Sequence, residues 1–122
     1  MDDLVAGGRS FAQTNSLPSD AAVKLFDRNG DGDRVMAIAL MQGDSRLVDI
    51  ERLIRAIGES RSAYEQYQAL LAVRGWLQSG SELDSAHRAS LDRAMESPQI
   101  SIETGRYQLA SDIRALMKQE QP

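Results

Sequence analysis

The chain has 122 residues, 42% of them hydrophobic and 26% charged, with a formal net charge of −4. This length suits one domain with a real core, and the apolar content excludes global disorder. The acidic balance argues against a nucleic-acid binder, which needs a basic surface to displace counterions, and against docking on anionic membranes.

There is no cysteine, which removes disulfides, thiolate metal sites and thiol nucleophiles together. The longest apolar run, Val35 to Met41, is far short of the roughly 20 residues that cross a bilayer. The N-terminus carries Asp2 and Asp3 and lacks the pattern of a secretory signal. A cytoplasmic location is the expectation. Aromatic residues make up only 5%, while straight side chains that lose little rotamer freedom in helices are plentiful.

Residues 1–18 contain Gly7-Gly8 and Pro18 without sustained periodicity, and read as a flexible N-terminal arm with Leu4, Val5 and Phe11 available to dock. A single helical domain is expected over 19–118. Ser19 can cap a short helix through Phe26, with Asp20 in its first turn. Asn29-Gly30 is a turn signal. Asp33 can cap a second helix from Arg34 to Gln42, stopped by Gly43 and buried on nearly all sides; a buried strand is the rival over so short a run.

Leu47 to Ile57 gives the clearest amphipathic pattern, with Leu47, Ile50, Leu53, Ile54 and Ile57 on one stripe. A long helix over 62–78 presents Tyr64, Tyr67, Leu70, Leu71 and Leu77 on one face. Ala69, Ala72 and Trp76 lie roughly opposite. A fifth helix spans 83–96, and Thr104 can cap a sixth that carries Tyr107, Ile113 and Met117. Residues 119–122 form a polar tail. About six helices are expected, with an all-α fold.

Asp27, Asn29 and Asp31 stand at the first, third and fifth positions of a calcium loop, with Gly32 at the sixth and Leu25-Phe26 before it. This front half resembles the calmodulin-type EF-hand, which would make Asp27, Asn29, Asp31 and Asp33 oxygen ligands for Ca2+. Position twelve, where the bidentate glutamate belongs, is Ile38, and position eight is Arg34. The competing reading is an acidic turn that stabilises the following helix N-terminus.

Tyr67-Gln68 through Val73-Arg74 to Leu77 aligns with Tyr107-Gln108 through Ile113-Arg114 to Met117, forty residues on. Leu53 to Ile57 corresponds in the same way to Leu91 to Met95. The pattern resembles HEAT-like helical repeats, which implies a right-handed α-solenoid; the alternative is a compact helical bundle.

His87, the single histidine, falls near a helix N-terminus, where the dipole disfavours its charged form. Neither Glu65 nor Asp92 has a partner that the sequence places beside it. No nucleophile or phosphate-loop motif is present, so no catalytic activity is expected. The residues best suited to recognition are Trp76, Arg74, Arg114 and Tyr107, types enriched at interface hot spots. The expected function is a scaffold or interaction module that binds a protein partner or itself, without nucleic acid or membrane; the alternative is a calcium-binding regulator.

Overall fold

The computed structural model describes residues 2–101 and 104–119. Among them are seven α-helices and no strand: α1 (Asp2–Thr14), α2 (Ala21–Asp27), α3 (Asp31–Gly43), α4 (Ile50–Gly58), α5 (Ala63–Gln78), α6 (Ser85–Met95) and α7 (Gly105–Gln119). A single 3-10 turn, Ser45–Leu47, joins α3 to α4. Part of the polar tail lies outside the described residues. No helix among the described residues is long and apolar enough to cross a membrane.

Local chemistry starts these helices. The side chains of Asp49, Ser62 and Asp84 accept backbone N–H groups of Arg52, Glu65 and His87 at the heads of α4, α5 and α6, satisfying donors with no partner inside the helix. Thr104 Oγ1 accepts from the Tyr107 N–H at 3.2 Å, as its capping position implies. At α3 the structure departs from expectation. The helix begins at Asp31 behind Gly30, so Asp33 lies in its first turn and does not cap it. Likewise, Asp20 and not Ser19 occupies the capping position of α2, and its side chain makes no capping bond. The expected start at Leu47 divides into the 3-10 turn and α4.

Helices α1, α3, α5 and α7 pack in a row, each on the next. On this row α2 leans against α3, and α4 packs on both α5 and α6. One apolar cluster runs through Phe26, Ile38, Leu53, Ile57, Leu70, Leu91 and Ile113. Full burial of a side chain of this size contributes about 1.5–3 kcal/mol.

The reading of residues 1–18 as a flexible arm is corrected over most of its length by α1, which buries Val5, Gly8 and Ala12. Its physical basis is the small residues at the crossing with α3. A Cβ on Gly8 would lie 2.5 Å from Met36 Sδ, and one on Gly43 would lie 2.2 Å from the Arg9 carbonyl oxygen. These glycines permit close helix approach; they do not loosen the chain. Arg9 Nη2 then donates to Gln42 Oε1 at 2.8 Å, and Gln42 Nε2 donates to Gln68 Oε1 at 2.9 Å, so a polar chain spans α1, α3 and α5.

One charged pair sits inside the core. Arg34 Nη2 lies 2.7 Å from Glu65 Oε1, and their side chains are 5% and 1% exposed. The Arg34 guanidinium also stands 4.6 Å from the centre of the Phe26 ring. Glu65→Ala strands a buried guanidinium and is expected to cost about 3–5 kcal/mol in urea denaturation, whereas the double variant Arg34→Met/Glu65→Leu recovers most of that loss. A Glu65→Ala cost no larger than that of exposed Asp92→Ala sinks this account.

Candidate functional site

Around Trp76 the C-terminal half of α5 faces the end of α3 and the 3-10 turn. Met41, Gln42, Ser45, Val48, Leu71, Ala72, Gly75 and Ser79 line a partly open groove with Trp76, of about 210 Å³. Small side chains create this space: a Cβ at Gly75 would meet nothing within 4 Å. The indole is half-buried against the core, and its N–H meets no acceptor among the described residues. The groove is smaller than the roughly 300–1,000 Å³ of ordinary small-molecule sites. It has room for one large apolar side chain.

The other residues expected to serve recognition do not converge on it. Arg74 faces the opposite way and pairs with Asp112 of α7 at 3.1 Å; the same carboxylate accepts from Gln108 Nε2 at 2.9 Å. Arg114 points from α7 to α6, where its Nε lies 3.0 Å from Asp92 Oδ1. Tyr107 is 39% exposed at the head of α7. The four residues thus do not share one surface; a helix turns about 100° per residue, so positions 74 and 76 face nearly opposite directions.

The acidic stretch is distributed among arginines. Asp27 binds Arg52 Nη2 at 2.7 Å, Asp31 binds Arg61 Nη1 at 3.1 Å, and Asp33 lies 3.9 Å from Arg28 Nε. Arg61 also donates to the backbone carbonyl and side chain of Asn29, which adopts a left-handed φ of 71°. Hydrogen bonding from Arg52 holds the Asp27 carboxyl below its usual range. Among the described residues no three histidine or carboxylate groups converge as a metal site. Asp27, Asn29, Asp31 and Asp33 are not brought to one centre, since α3 takes up the second half of the would-be loop. A site of about 0.1 mM affinity adds about 2.7 kcal/mol of stability at about 10 mM calcium. We expect no such rise in melting temperature, and a rise of that size restores the calcium reading.

His87 departs from its dipole-based expectation. Its Nδ1 lies 2.9 Å from Asp84 Oδ2 and its Nε2 3.4 Å from Glu51 Oε1, which ties α6 to α4. The hydrogen bond with Glu51, followed by the charge of Asp84, raises its pKa above the usual 6.5. Two adjacent carboxylates outweigh the diffuse dipole at the helix start. A raised folded-state pKa contributes stability below the unfolded value, and this is lost as pH rises through the folded value. The melting temperature should therefore fall more between mildly acidic and mildly alkaline pH in the wild type than in His87→Gln. Parallel profiles for the two proteins refute the clamp.

The buried Arg34–Glu65 pair, the Gln42–Gln68 contact and Gln66 escaped the sequence reading. Gln66 is fully buried, donating to the Ile57 carbonyl at 2.7 Å and accepting from Arg106 Nη1 at 2.8 Å. The one available signal was Ser62-x-x-Glu65, a capping-box spacing that fixes Glu65 in the first turn of α5. Comparison with protein families, with curated proteins and with solved structures finds no match.

Proposed function

We propose that this protein is a non-catalytic interaction module of HEAT-like organisation that seats an apolar side chain of a protein partner in the Trp76 groove. The observation that carries this reading is the groove itself: an aromatic wall, a bare Gly75 rim and an indole donor without an acceptor among the described residues. Such an amphipathic aromatic pocket is the ordinary anchor point of an interface.

The burial pattern supports the repeat organisation. Leu70 and Ala110, Val73 and Ile113, and Leu77 and Met117 are buried in pairs forty residues apart, and Tyr67 and Tyr107 are equally exposed. Leu53 and Leu91, Ala56 and Ala94, and Ile57 and Met95 are likewise buried on α4 and α6. Stacked helix pairs bury matching faces in this way. Tyr107, Arg74 and Arg114 then belong to the outer surface as secondary contacts.

Two variants test the groove. Trp76→Ala removes its wall and is expected to weaken partner capture about 30-fold, the scale of a hot spot of about 2 kcal/mol. Gly75→Leu fills the space from an open position and replaces a poor helix former, so it should reduce capture while stability holds or rises. If a partner captured by the wild type binds both folded variants equally, the groove is not the seat.

A further inference from the structure

Helix α1 is held differently from the other helices of the row. It packs on α3, and the only side chains it buries are those of Val5 and Ala12, beside the bare Gly8. Val5 joins Val35 and Ala39 in a small apolar cluster separate from the main core, which α1 reaches through Ala12. Its largest apolar side chains face outward, Leu4 44% and Phe11 52% exposed. Two polar ties complete the attachment. The Tyr64 hydroxyl donates to Asp2 Oδ1 at 2.8 Å, and Arg9 donates to Gln42 Oε1 from Nε at 3.2 Å and from Nη2 at 2.8 Å. The helix does not hold itself: its 13 residues are marginal for a helix alone in water, and each interior glycine lowers helix formation about fivefold against alanine. Gly7 brings no packing in return, since a Cβ there would meet nothing within 4 Å. Asn15 and Ser16 beyond it are exposed, and Leu17 already packs on the main core, so the boundary with the body falls at 15–16.

We infer that α1 is a strap that folds onto α3, opens as a unit, and regulates the Trp76 groove through Gln42; this rests on the role proposed for that groove. Gln42 carries the link. It lines the groove, accepts from Arg9, and donates through Nε2 to the Gln68 carbonyl and to Gln68 Oε1, each at 2.9 Å. With α1 closed, this side chain is fixed between two helices. With α1 open, its Oε1 loses both Arg9 donors and the side chain regains rotamer freedom, which a seated partner group must then remove. The end of α3 is released as well, because Gly43 lies against the Arg9 carbonyl. A closed strap and an occupied groove therefore favour each other, and the coupling is reciprocal. Opening exposes little apolar area, so it belongs to the low-stability end of the molecule's local unfolding.

Native-state hydrogen exchange reads the strap without any partner, so its outcome does not depend on whether the groove seats one. Amides of residues 6–14 should share one opening constant, at least about 100-fold larger than that of the buried α5 amides. Arg9→Ala and Tyr64→Phe each remove one tie and should each raise that constant about fivefold, with α5 unchanged. Gly7→Ala occupies open space and improves the helix, so it should lower the constant by a similar factor, again with α5 unchanged. Gly75→Leu sets an apolar side chain in the groove from within the chain. It should lower α1 opening about fivefold, and the effect should vanish when combined with Arg9→Ala. In Gln42→Ala, Arg9→Ala should add nothing, because the tie is already cut. Protection of α5 in the same data shows that each variant is folded. The proposal is overturned by α1 amides with no protection or with protection equal to α5. It is also overturned if Gly7→Ala slows α1 and α5 alike, if Gly75→Leu leaves α1 exchange unchanged, or if Arg9→Ala acts as strongly without Gln42.

Discussion

The ion pair between Arg34 and Glu65 is the constraint around which the molecule is arranged. It joins the first turns of α3 and α5, and the Phe26 ring brings α2 to the same point. Glu65 Oε1 also accepts the Arg61 backbone N–H at 3.3 Å, tying in the loop before α5. Both charges are removed from water, a cost repaid only when geometry and further hydrogen bonds are good. The buried Arg34 Nε has no hydrogen-bond partner, so the pair is incompletely compensated. Its effect is to set the register of α3 against α5. Slippage would separate two buried charges, a far larger penalty than the rearrangement of apolar contacts.

That register reaches the other end of the same two helices. Met41 and Gln42 close α3 opposite Leu71, Ala72 and Trp76 of α5, and the groove is the space left between them. Gln42 is held from both sides, by Arg9 and by Gln68. Arg9 and Gln68, which do not line the Trp76 groove, thus hold one of its lining residues in place, which would lower the ordering cost of seating the proposed partner's side chain.

The acidic stretch after Phe26 shows how local chemistry and tertiary setting divide the work. Its aspartates favour a helix N-terminus wherever they stand. What they do here depends on arginines from distant segments: Arg52 of α4 reaches Asp27, and Arg61 before α5 reaches Asp31 and Asn29. The loop is a joint between helices, with each carboxylate turned to a different cation. The same reason explains His87. Its helix position was legible from the sequence, but the largest cause of its raised pKa is the hydrogen bond with Glu51, thirty-six residues away.

Periodicity, caps and breakers by themselves determined that the chain is all-α and roughly where α2 to α7 lie, because these signals act within one or two turns. They also placed Trp76 among small residues on the secondary face of α5. They could not show that Gly7-Gly8 lies inside a helix, since Gly8 has a packing purpose only once Met36 and Ala39 of α3 come against it. Nor could they pair Arg34 with Glu65, or bring Glu51 against His87. Those outcomes depend on which helix faces meet. Meeting is decided by close approach at small residues and by the cost of burying a charge unpaired, which belong to the assembled structure and to no single segment.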